Sequence, residues 1–151
     1  MSTGLSLVSW SDDFSLGMEE IDAQHSVLIE LINQVWVAVV KKPDRVQALS
    51  ILEELEKYTI THFTAEEVFM REINYRNFDL HKAEHTKFVM RIAEEKAKIV
   101  AGGAVTLGII HFLKDWLINH ILVADKEYAL EFKQRSEPAS LLGKFFRRLW
   151  A

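Results

Sequence analysis

Proline occurs only at positions 43 and 138, and the other strong breaker is the Gly102–Gly103 pair. Between these marks the chain runs for long stretches without a residue that would stop a helix. Within each stretch the apolar side chains recur at steps of three and four, which is the period of one helix face. The first, about 18–40, carries Ile21, His25, Leu28, Ile32, Val35 and Val39 on that face. Lys41–Lys42–Pro43–Asp44 ends it, and Asp44 followed by Gln47 resembles a capping box for a second helix. That helix reaches about Glu72 with Leu52, Leu55, Thr59, His62, Glu66 and Phe69 along its stripe. A short loop from Asn74 to Asn77 precedes a third helix, about 79–101, with His81, His85, Phe88, Ile92 and Ile99 on one side. The fourth, about 104–133, groups Leu113, Trp116, Leu117, His120 and Ala124. Short loops between long amphipathic helices make antiparallel neighbours. The expected fold is all-α: an up-down-up-down four-helix bundle. Residues 1–17 read as an extended N-terminal arm. Residues 1–134 form the bundle domain and 135–151 a separate tail.

Composition narrows the function classes. There is no Cys, so disulfides and thiolate metal sites are excluded, and a reducing, cytoplasmic location is expected. A net charge of −4 argues against nucleic acid as a partner. No window approaches about 18 uninterrupted apolar residues, so no membrane-crossing helix is expected, and the N-terminus does not read as a secretory signal. The charge is uneven. In residues 135–151, Arg135, Lys144, Arg147 and Arg148 stand against Glu137, giving +3, while the remaining 14 basic and 21 acidic side chains give −7.

The informative feature is a mismatch on the inner faces. A buried stripe should be apolar, because a polar group without a partner there costs a few kcal/mol. Yet all four helices turn His inward, and two add a carboxylate: Glu66 and Asp125. His62/Glu66 and His81/His85 are four apart, one helical turn, so both members of each pair reach the same region. A single pair of this kind is ordinarily a solvated surface feature. Agreement of four helices is not. Imidazole nitrogen with carboxylate oxygen suits Fe, Mn or Zn. His120 and Asp125 are five apart, about 140° of extra rotation, so either Asp125 reaches sideways or a π-bulge realigns it. His111, half a turn around from His120, should face solvent. Phe63, Phe69, Phe88 and Trp116 read as core packing that also keeps water from the cluster. No Ser–His–acid set and no Gly-rich phosphate loop is visible, so nucleophilic and phosphoryl chemistry have no apparatus.

The series Gly17…Asp22–Ala23–Gln24–His25, His62–Phe63–x–x–Glu66–Glu67, His81–Lys82–Ala83–Glu84–His85 and Trp116–Leu117–x–x–His120–Ile121–x–x–x–Asp125 resembles the hemerythrin family, in particular its single-domain bacterial members, the bacteriohemerythrins. The resemblance covers about residues 8–132. One departure is the loop before His81, where Tyr75–Arg76 stands in place of a frequent Pro. The resemblance implies two Fe ions. His81, His85 and His120 would hold one, His25 and His62 the other, and Glu66 and Asp125 would bridge both beside an oxo or hydroxo group. Three imidazoles with three bridging donors close an octahedron, whereas two leave one position open. O2 would bind at that position, with Trp116, Leu117 and Ile121 around it. The implied function is reversible O2 binding by a monomer, for storage, delivery or sensing, and not an enzymatic one. The alternatives are a di-iron enzyme reducing peroxide or nitric oxide, or a sensor acting through the tail.

The tail has its own pattern. Beyond the break at Ser136–Glu137–Pro138, the residues Leu141, Leu142, Phe145, Phe146, Leu149 and Trp150 follow a helical stripe, with Lys144, Arg147 and Arg148 opposite. The favoured expectation is docking on the acidic bundle near an end or seam. The alternative is a weak contact with an anionic membrane surface or an O2-consuming protein.

Overall fold

The computed structural model describes residues 7–41 and 44–134. The tail from 135 onward, and every expectation that falls on it, lies outside the described residues. Four antiparallel rods form the bundle, with no β-strand among the described residues. They are α1 (Glu19–Lys41), α2 (Arg45–Glu72), α3 (Phe78–Val100) and a composite fourth rod. That rod consists of α4 (Leu107–Asn119), a π-helical turn (His120–Asp125) and α5 (Lys126–Gln134).

Local chemistry explains the boundaries. Asp44 caps α2 by accepting from the Gln47 amide at 2.8 Å, as the Asp44/Gln47 spacing predicts. Asn74, at φ 52°, turns the chain from α2 into α3. Gly102, at φ +107°, ends α3, and the Gly103 amide donates back to the Lys98 carbonyl at 2.9 Å. Glycine adopts that left-handed conformation without steric penalty, which is why the helix stops here.

The N-terminal arm is more ordered than an extended segment. Asn33 of α1 accepts from the amides of Leu7 and Val8 and donates to the Val8 carbonyl. A 3₁₀ turn at Asp12–Phe14 then drops Phe14 into the core. Asp22 finishes the arm by accepting from the Leu16 amide and the Ser15 hydroxyl. These side chains lie far from the arm in sequence or act through the turn, so periodicity did not reveal them.

Two apolar clusters fill the interior. One includes Leu28, Ile32, Leu52, Leu55, Phe88, Ile92 and Leu113. The other includes Ile21, Phe69, Met70, Tyr128 and Phe132. On α1 and the fourth rod inward polar residues fall between members of the two clusters: His25 lies between Ile21 and Leu28, and Asp125 between Ile121 and Tyr128. By length and mean hydropathy, α1 and the fourth rod would suffice to cross a membrane, contrary to the expectation from uninterrupted apolar runs. Their apolar faces are instead used in this core, alongside His25, His120 and Asp125.

The fourth rod also corrects one inward residue. Ala124 was expected on the inner stripe, but the π turn inserts one residue per turn, so Asp125 takes the inward place and Ala124 lines a surface cavity. Val39 and Trp116 are half-buried rather than fully inside.

Replacing Asp44 by Ala should remove about 1 kcal/mol by leaving the first amides of α2 uncapped, and lower the melting temperature by about 2–4 °C. Asp44→Ser should restore most of it. A thermal melt of the two variants beside the parent checks both.

Candidate metal centre

Seven side chains from all four rods meet in the layer between the apolar clusters. His25 comes from α1, His62 and Glu66 from α2, His81 and His85 from α3, and His120 and Asp125 from the π turn. All seven are buried. His111, by contrast, is exposed on α4. The π turn, one of the two alternatives left open by the five-residue spacing, is what brings Asp125 onto the His120 face.

The geometry has two halves. Asp125 Oδ1 lies 3.1 Å from Nε2 of both His81 and His120, while Oδ2 lies 3.1 Å from Nε2 of His25. Glu66 Oε1 lies 3.1 Å from His62 Nε2 and 3.6 Å from His85 Nε2. Each carboxylate therefore stands between a three-histidine group (His81, His85, His120) and a two-histidine group (His25, His62). Donor atoms in the sets Glu66/His81/His85/His120/Asp125 and His25/His62/Glu66 lie within 4.8 Å of one another.

These atoms are not satisfied by one another. Nε2 of His25 and His81 and both oxygens of Glu66 and Asp125 are buried without a hydrogen bond. Nε2 of His85 and His120 face each other at 3.0 Å, where at least one must present a lone pair. Buried polar atoms left in this state cost about 1–3 kcal/mol each. A cation in their midst would satisfy them together. The donor set fits a metal.

Electrostatics keeps the acids available. Burial, and for Glu66 the nearby Asp125, resists ionisation, but His120 beside Asp125 and His62 beside Glu66 outweigh this and lower both carboxyl pKa values. Burial also opposes a charge on His120, yet Asp125 and Glu84 raise its pKa to about 10. Burial holds His85 well below the usual imidazole value, so it is neutral.

An outer set of polar side chains orients the rings, and the sequence did not announce it. His62 Nδ1 donates to Gln24 Oε1 at 2.6 Å, His85 Nδ1 to Glu67 Oε2 at 2.9 Å, and His120 Nδ1 to Glu84 Oε1 at 3.4 Å. Each bond places a proton on Nδ1, so that His62 and His85 turn Nε2 to the interior, and His120 does the same once a cation displaces its second proton. All three partners sit immediately beside a ligand in sequence, yet adjacency alone does not say which helix a side chain addresses. Phe63 stacks on His85 at 3.9 Å and 4°. Trp116 stacks on His120 at 4.3 Å and 14°. Leu117 and Ile121 are buried in the larger apolar cluster.

Gln24→Ala should weaken cation binding at the two-histidine side by about 10–100-fold, because His62 loses the bond that fixes its tautomer. Competition between the protein and a chromophoric chelator for Fe(II) measures this. Equal affinity in the variant would mean that Gln24 only fills space.

The family model described as "Hemerythrin HHE cation binding domain" matches residues 16–130. The bacteriohemerythrin of Stenotrophomonas maltophilia strain R551-3 is 31% identical, over 97% of this chain and 99% of its own length. That of Pseudomonas aeruginosa strain PAO1 is 34% identical, over 79% of this chain and 77% of its own. A crystal structure of wild-type hemerythrin superposes with a TM-score of 0.74 at 32% identity, covering 82% of this chain and 95% of that one. The matched segment contains all seven inward donors and the π turn that aligns the last of them, and the chain is a member of the hemerythrin family.

Proposed function

We propose that this protein binds O2 reversibly at a di-iron centre, as a store or carrier. The observation that carries the reading is the inequality of the two donor groups. Three imidazoles stand on one side and two on the other, with Glu66 and Asp125 between. Given the same shared donors, the His25/His62 side is one donor short. A small exogenous ligand therefore has a place there and not on the other side. Two ferrous ions held by these residues would supply the two electrons that O2 takes up reversibly.

The chain's own residues favour binding over turnover. Only two carboxylates enter the donor set, against the four of the carboxylate-rich di-iron proteins, so the set stabilises highly oxidised iron less. Leu117 and Ile121 present apolar surface on the rod that bears His120 and Asp125, and this excludes water from the layer. Phe63 and Trp116 close over His85 and His120. One bundle supplies every donor, which supports a monomer as the binding unit. Kinship with bacteriohemerythrins supports the same reading.

The optical spectrum of the iron-loaded, reduced protein tests it. Exposure to O2 should produce a new absorption band, and removing O2 should abolish that band over repeated cycles. Irreversible bleaching after one exposure would instead indicate an oxidising enzyme.

Two substitutions probe the parts. His120→Ala should lower iron content below two per chain and destabilise the fold by about 3–5 kcal/mol, because the buried Asp125 loses one of the three imidazoles around it. His111→Ala should change neither. Iron stoichiometry by elemental analysis separates the two variants.

Trimming Leu117 to Ala should admit water and shorten the interval before the oxygenated protein oxidises irreversibly, with iron content unchanged. An unaltered lifetime would leave Leu117 as ordinary packing.

A further inference from the structure

At the end of the bundle where α1 gives way to α2 and α3 to α4, the helices part around a cavity of about 670 Å³. Trp36, Val39, Ala48, Ile99, Val105 and Leu107 are among its lining residues. Ala48 and Ile99 are buried at its floor, whereas Leu107 is 56% exposed at its mouth. His25 and Trp36 are 11 residues apart on α1, about 16 Å, so the cavity is separate from the metal layer.

One lining residue is charged: Arg45, the first residue of α2. Its guanidinium reaches towards the turn that ends α3, where a Cβ on Gly102 would stand 3.7 Å from Nη2. Among the described residues no carboxylate pairs with it. The adjacent Asp44 is engaged with the Gln47 amide. Glu95, one turn before Ile99, is taken by Arg91 and Lys98. The first turns of α2 and α4 hold no acid, and α1 closes on Lys41. The walls are therefore apolar and the mouth positive.

We propose that this cavity binds a medium-chain fatty acid of about ten carbons, its alkyl chain on the apolar walls and its carboxylate on Arg45. Water in such a space finds few hydrogen-bond partners, so an apolar chain displaces it favourably. A guanidinium takes a carboxylate through two parallel hydrogen bonds, which orients the head group. One cation above a concave apolar pocket selects a slender monoanion. The convex helix faces of a second copy would not fill it.

The site does not depend on the metal centre, so the O2 reading and this one can fail separately. Calorimetric titration of the full-length protein with sodium decanoate, below its micelle concentration, provides the test. One saturable site per chain is expected. Octanoate, two methylenes shorter, should bind about tenfold more weakly. Arg45→Ala should weaken decanoate binding about tenfold and leave decanol binding unchanged, since only the carboxylate meets that side chain. Ala104→Trp, on the exposed loop at the mouth, should abolish both. Neither substitution should alter helix content by circular dichroism. Absence of saturable decanoate binding would overturn the proposal. So would equal affinity in Arg45→Ala, or binding that survives Ala104→Trp. A concentration-dependent dimer lost in Ala104→Trp would make a second copy the occupant. Sedimentation with phosphatidylglycerol vesicles, lost in Arg45→Ala, would make it a lipid surface. Either result overturns the proposal equally.

Discussion

The structure depends on a layer of buried polar side chains that cannot satisfy one another. Five imidazoles and two carboxylates lie between two apolar clusters, and most of their inner atoms are without hydrogen bonds. A bundle of this size could close its interior with aliphatic residues alone, at lower desolvation cost. It does not, and each rod gives one or two inward positions to the layer. The apolar clusters above and below hold the rods in register. The layer in turn makes the fold and cation binding one problem, since the donors cannot all be satisfied without a positive centre.

Outer partners convert this liability into a directed site. Gln24, Glu67 and Glu84 each accept a hydrogen bond from an Nδ1, so the rings of His62, His85 and His120 all turn Nε2 to the interior. Each of these bonds crosses from one rod to another. The orientation of a ring on one helix is thereby set by its neighbour, and a small shift between rods would misdirect several donors together. Stacking of Phe63 on His85 and Trp116 on His120 adds steric limits to the same rings.

The π turn at His120–Asp125 is the second indispensable feature. In a regular helix His120 would share its face with Ala124, and Asp125 would point aside. The extra residue rotates the remainder of the rod, so Asp125, Tyr128, Ala129 and Phe132 all become buried. One inserted residue thus brings both the Asp125 carboxylate and the second apolar cluster into place. It also turns Ala124 and Val123 outward, which opens the cavity beside His81.

Much of this was determined by the sequence alone. The spacing of apolar residues between so few breakers specifies four helices, and short loops make them antiparallel. The cap at Asp44, the stop at Gly102–Gly103 and the inward faces of the five histidines and Glu66 are local or periodic properties, so one chain read by itself displays them. The five-residue gap between His120 and Asp125 even signalled a phase change without saying which of two forms it takes. Tertiary structure decided the rest, because the rest consists of contacts between rods. Which carboxylate oxygen faces which imidazole, which partners hold the Nδ1 atoms, that Asn33 pins the N-terminal arm, and that Trp116 stacks on His120 all require the relative rotation of two helices. Periodicity fixes the face of a helix to within a side chain or so, but a hydrogen bond is decided by a few tenths of an ångström.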